Sequence, residues 1–88
     1  MNNPDVVQLT EIKNYFLDPP ISFKLGRYAI ERIDAVLSIL DKYNLRNDEA
    51  PMFLLLLKGQ IEANQLTMHE LRKELIEGGK RISNLNNQ

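Results

Sequence analysis

PMFLLLLKGQIEANQL, residues 51–66, is the stretch on which the reading of this 88-residue chain turns. Met52 to Leu57 are six apolar residues in a row. That run is far short of the roughly 20 residues a membrane-spanning helix needs. Asn47, Asp48 and Pro51 supply an N-terminal cap and a first-turn proline, so the stretch reads as the opening of a helix in a water-soluble domain. Ala50, Leu54, Leu57 and Ile61 form one seam at helical spacing, while Met52, Leu55 and Leu56 project elsewhere. A helix apolar nearly all round is either central in its own domain or in contact with a second chain. Three short helices leave little spare cover for a fourth. The second chain is therefore the expectation, with burial by the first two helices as its rival.

Size and composition press the same way. A domain this small buries roughly 60–65% of its unfolded surface and needs a staple such as disulfides, a metal or a partner subunit. The chain has no cysteine and a single histidine. Disulfides, thiolate metal sites and a multi-histidine zinc site within one chain are thereby excluded. Oligomerisation is the staple left. The formal net charge of −1 provides no long-range attraction for nucleic acid or anionic lipid. The first residues lack a basic segment followed by an apolar one, so no signal peptide is expected, and the expected address is the cytoplasm.

Upstream of the central stretch, Asp5 with Gln8 three residues on reads as a capping box. Leu9, Ile12 and Phe16 then share a face, predicting a helix over 6–17. Val6 and Val7 favour a strand, which competes. Asp18-Pro19-Pro20 stops the helix. Ser22 can cap a second helix over 23–43, whose stripe of Ala29, Ile33, Val36, Leu40 and Tyr43 suits a core-facing face. The break at 44–48 precedes a third helix over 49–62. Downstream, Ala63-Asn64-Gln65-Leu66 reads as a turn, and Thr67 with Glu70 as a capping box. The fourth helix points Met68, Leu71 and Leu75 inward. It either stops at Gly78-Gly79, with Gly78 left-handed, or runs on to about Leu85. The 3-4-3-4-3 spacing of Met68, Leu71, Leu75, Gly78, Ile82 and Leu85 favours the longer helix. Two helical glycines cost about 2 kcal/mol against it. Residues 1–4 and 86–88 are expected to fray.

Little in the chain suggests chemistry. His69 follows a capping residue, a first-turn surface position. Glu70, Glu74 and Glu77 at helical spacing read as a solvated face. No phosphate loop or paired Glu-x-x-His is present, so no cofactor, metal site or catalytic residue is expected. An enzyme would have to gather Glu31, Asp34 or Glu62 around His69 in a pocket. Nucleic-acid binding is the alternative. Residues 66–75 have the cadence of the first helix of a helix-turn-helix, Lys80–Leu85 could open a recognition helix, and Arg72, Lys73, Lys80 and Arg81 form a basic cluster. The interleaved glutamates would repel phosphates.

Residues 57–75, LKGQIEANQLTMHELRKEL, resemble the short helical-hairpin modules called SHOCT domains. There a helix, a small-residue turn and a Thr-capped second helix rich in Glu, Leu and Lys follow in order. The resemblance covers under a quarter of the chain, and Ala63-Asn64 replace the usual turn glycine. It implies an oligomerising or partner-binding hairpin rather than a reaction, and it carries over no site residue.

The expectation is thus one all-α domain spanning 1–88, a small bundle of about four helices completed by dimerisation. Its function is that of a non-enzymatic homo-oligomeric adaptor or regulator with an unidentified protein partner. Met52, Leu55 and Leu56 are its expected interface, with Leu75, Gly78 and Ile82 as second choices.

Overall fold

A computed structural model of the chain describes residues 3–45 and 48–85. It is all-helical: α1 (Pro4–Leu17), α2 (Leu25–Lys42), α3 (Glu49–Glu62) and α4 (Met68–Leu85) make a small compact bundle, with no strand among the described residues. α1 packs chiefly on α4, α2 on α3, and α3 on α4. The core between them is built from Phe16, Leu25, Ala29, Ile33, Val36, Leu40, Leu54, Leu57, Leu75 and Ile82, each buried. The overall dimensions are 38 × 23 × 18 Å.

α1 starts earlier than the capping-box pattern indicates. The Asn3 side chain, not Asp5, accepts the first-turn amide, from Asp5 N at 2.9 Å. Pro4 occupies the first turn, where its missing N–H costs nothing and its fixed φ already suits the helix. Asn3 and Pro4, expected to fray, therefore belong to the helix start. Residues 1, 2 and 86–88, also expected to fray, lie outside the described residues. Val6 and Val7 are helical despite their strand preference, and both are exposed. Asp5 is released from capping and serves another role. Its Oδ2 accepts from the Tyr43 hydroxyl at 2.8 Å, and Lys42 Nζ lies 3.3 Å from its Oδ1. These contacts tie the start of α1 to the end of α2. The Tyr43 hydroxyl first, then Lys42, hold the Asp5 carboxyl below its ordinary pKa.

α2 begins two residues later than expected. The Ser22 hydroxyl accepts from Lys24 N at 3.2 Å and its carbonyl from Leu25 N at 3.0 Å, so Ser22 closes a turn before the helix rather than capping it. Ala29, Ile33, Val36 and Leu40 are buried as the stripe predicts. Tyr43 is the exception, because it lies at the C-cap, where its ring is half-exposed and its hydroxyl reaches α1.

α2 and α3 end in the same way. Asn44 (φ 60°) and Asn64 (φ 56°) take the left-handed conformation after the C-caps Tyr43 and Ala63. Asn44 N donates to Asp41 O and Leu45 N to Leu40 O; Asn64 N donates to Ile61 O and Gln65 N to Gln60 O. Both patterns are the paired bonds of a Schellman stop, with asparagine where glycine is commonest. At the start of α3, Asp48 is the N-cap residue by backbone geometry, without a side-chain bond; Asn47, its rival, lies outside the described residues.

The capping box at the start of α4 forms as read: Glu70 N donates to Thr67 Oγ1 at 3.1 Å and Thr67 N to Glu70 Oε1 at 3.0 Å. These bonds from Thr67 lower the Glu70 pKa. Met68 is a correction: it is 41% exposed, lying on the rim of a groove rather than in the core. Of the two endings, the longer one is found. α4 runs through Gly78 and Gly79 to Leu85, and neither glycine has a positive φ. Close approach is the reason. A Cβ on Gly78 would lie 3.1 Å from Leu54 Cδ2, and one on Gly79 would lie 3.0 Å from Leu17 Cγ and 3.1 Å from Phe16 Cβ. Gly79 lets α4 come close to the backbone of α1, Gly78 lets it close on Leu54 and Phe53 of α3, and the packing gained offsets their poor helix propensity.

Candidate interaction surface

Placement of the α3 side chains follows from its position in the bundle. Ala50, Leu54 and Leu57 face inward with α2 on one side and α4 on the other. Helical spacing then turns Met52, Leu55 and Leu56 to the far side, where they are 56%, 46% and 67% exposed. α1 and α2 do not cover them. Gly59 continues the same face, and a Cβ there would meet nothing within 4 Å. With Gln60, Ala63 and Gln65 these residues line a shallow apolar depression of about 490 Å³. A charge tie to α2 flanks it. Lys58 Nζ lies 2.6 Å from Asp34 Oδ1 on α2, and this hydrogen bond raises the Lys58 pKa.

The second-choice interface residues fall elsewhere. Leu75, Gly78 and Ile82 are all buried within this chain's own core. Their seam packs against α1 and α3, so in this fold it presents nothing to a second chain. The heptad spacing was a genuine packing signal, satisfied by helices of the same molecule.

The four basic residues do not form one free patch. Arg72 Nη2 lies 3.4 Å from Asp18 Oδ1. Arg81 pairs with Glu49, approaches Glu77 Oε1 at 3.3 Å, and stacks its guanidinium 4.5 Å from the centre of the Phe53 ring. Lys73 and Lys80 are exposed, but Glu74 and Glu77 share their surface. The helix-turn-helix reading also needs a turn before Lys80, and α4 is unbroken there. Its required geometry is absent from the described residues.

The ionisable groups expected of an enzyme, Glu31, Asp34, Glu62 and His69, are all exposed. His69 is exposed in the first turn of α4, Asp34 is held by Lys58, and Glu31 lies one turn from Arg27 with their charges 3.8 Å apart. Among the described residues no group of three or more His, Cys, Asp or Glu is placed to hold a metal ion. Nor is any helix among them long and apolar enough to cross a membrane. Tyr15 is half-buried, with its hydroxyl oxygen shielded from solvent. Its hydroxyl has no hydrogen-bond partner, burial raises its pKa, and the Arg32 guanidinium stacks 3.8 Å from its ring centre.

One feature escaped the sequence reading. Phe23 is 89% exposed and Ile21 77% exposed, in the turn that precedes α2. Phe23 edges a groove of about 450 Å³ between the start of α2, the end of α3 and the start of α4. The only sequence signal was negative, since Phe23 falls outside the buried stripe of α2.

The chain matches no protein-family model, no curated protein and no solved structure. The likeness of residues 57–75 to SHOCT hairpins therefore rests on the helix–turn–helix pattern alone. Asn64, in that turn, takes a left-handed conformation.

Proposed function

We propose that this chain is a small non-enzymatic interaction module that self-associates through the outer face of α3 and serves as a helical adaptor or regulator. The observation that carries this reading is the exposure of Met52, Leu55 and Leu56 as neighbours on one helix, around the bare backbone of Gly59. Apolar side chains scattered singly on a surface are ordinary, whereas a contiguous set on a small domain marks a contact surface. A cysteine-free chain has no need of an oxidising compartment, and a cytoplasmic setting belongs to the same proposal.

The test is sedimentation of the wild type against Leu56→Asp and Leu55→Asp. Association through α3 predicts a wild-type dimer or larger species and a lower mass for each variant, with helical circular dichroism retained. A folded, soluble Leu56→Asp protein with the wild-type mass would remove α3 from the interface.

A further inference from the structure

The groove beside Phe23 is distinct from the α3 face, and it has an unusual property: it contains a knob, a hole and both signs of charge within one small area. Phe23 forms its wall, standing almost wholly in solvent, with Lys24 Nζ 5.7 Å from the ring centre. Gly26, Ile30, Ile61 and Leu71 line the hollow beside it. Its volume of about 450 Å³ lies within the range of sites that enclose a substantial apolar group. Phe23 borders this space without filling it. On the α2 rim, Arg27 and Glu31 are one turn apart, with side chains 75% and 60% exposed. Their separation of 3.8 Å is too long for a hydrogen bond, so each keeps its donors or acceptors for another partner.

We infer that this groove seats a second copy of the chain, each Phe23 entering the other copy's groove across a two-fold axis. A two-fold contact uses the same patch twice, so the patch must complement itself. This one does. Phe23 and the hollow are adjacent, and Arg27 of one copy faces Glu31 of the other, twice across the axis. A rim of a single sign would repel its own copy. The contact is independent of the α3 face. If both operate, the assembly holds more than two copies.

The test is made in the Leu56→Asp variant of this chain, so that association through α3 is silenced. Sedimentation at low salt should show residual self-association in this parent. Phe23→Ala should weaken it at least ten-fold. Arg27→Glu alone and Glu31→Arg alone should each weaken it about ten-fold by placing like charges across the axis. An equal mixture of the two charge variants should regain the parent's association, because every contact across the axis is then a carboxylate with a guanidinium. Retained melting profiles would show that none of these changes acts through unfolding. A parent that stays monomeric at the highest concentration reached, or a mixture no tighter than its components, overturns the proposal. The α3 reading is decided separately, by comparing the Leu56→Asp parent with the wild type.

Discussion

The same substitution, glycine to alanine, should have opposite effects at two positions of this protein. Gly59 and Gly79 both lie inside helices, so alanine at either removes backbone freedom from the unfolded chain and gains about 1 kcal/mol of helix propensity. At Gly59 nothing opposes that gain, because a Cβ would meet no atom within 4 Å. At Gly79 the new methyl would stand 3.0 Å from Leu17 Cδ2 and Cγ and 3.1 Å from Phe16 Cβ. The Leu17 tip is partly exposed and can swing aside, but Phe16 Cβ is fixed directly to the α1 backbone. Relief requires α1 to move off α4. Overpacking of this kind costs about 1–3 kcal/mol. The net result at Gly79 is then a loss of about 0–2 kcal/mol, against a gain of up to about 1 kcal/mol at Gly59. Gly78→Ala should fall between them, since its nearest obstacle is the end of the flexible Leu54 side chain at 3.1 Å. Urea denaturation followed by far-ultraviolet circular dichroism measures the difference, and thermal melting should separate the variants by about 4–8 °C per kcal/mol. A Gly79→Ala protein as stable as Gly59→Ala would refute the close approach of α1 and α4.

Other expectations follow from the caps, the core and the ionisable groups. Thr67→Ala should lower stability by about 1 kcal/mol in urea titration, since it removes the hydroxyl that accepts the Glu70 amide. Asn64→Ala should cost about 1–2 kcal/mol by placing an alanine at φ 56°, whereas Asn64→Gly should be neutral or better; equal stability of the two variants would show the Schellman stop unimportant. Phe16→Ala empties the centre of the α1–α4 contact and should cost about 3–5 kcal/mol, leaving little folded protein. Asp5 and Glu70 have lowered pKa values when folded, so their contribution is complete above their unfolded pKa values and is lost as pH falls through the lower folded ones. Lys58 has a raised pKa, so its contribution is complete below the unfolded lysine value and is lost as pH rises through the folded one. Melting temperature should therefore decline below about pH 4. The decline should be shallower in Glu70→Gln, and an unchanged acid limb in that variant would remove Glu70 from the account.

What could be read in advance depended on whether a residue's fate was settled by near or distant neighbours. The Ala29–Leu40 stripe and the turned-away Met52, Leu55 and Leu56 are consequences of helical period, and spacing alone predicts them. The Thr67–Glu70 box closes within one turn and is equally local. Gly78-Gly79 is undecidable on local grounds: the pair signals a stop, yet the helix passes through it where Leu54, Phe16 and Leu17, all far away in sequence, pack against it. The same distance explains why the Leu75–Ile82 seam suggested a second chain, since its partners are other helices of this one. Asn3 rather than Asp5 caps α1, and Asp5 instead accepts from Tyr43, a residue far away in sequence. The exposure of Phe23 is hidden in the sequence pattern because it follows from a turn at 22–25 that the apolar spacing merges into the helix.

The pairing of α1 with α4 also constrains the order in which the chain can fold. α2 and α3 are successive and pack on one another, so their hairpin can form as soon as Glu62 is available. Phe16 has its glycine-lined seat only once α4 exists, so the first helix can complete its packing only after the last is made. Pulse-labelled hydrogen exchange should accordingly protect amides of α2 and α3 before those of α1, and simultaneous protection of all four helices would argue for a single concerted step. Until that final docking, the chain displays the Phe16 side of α1 together with the outer face of α3. During synthesis its exposure to unwanted association is greatest just before the last helix is made.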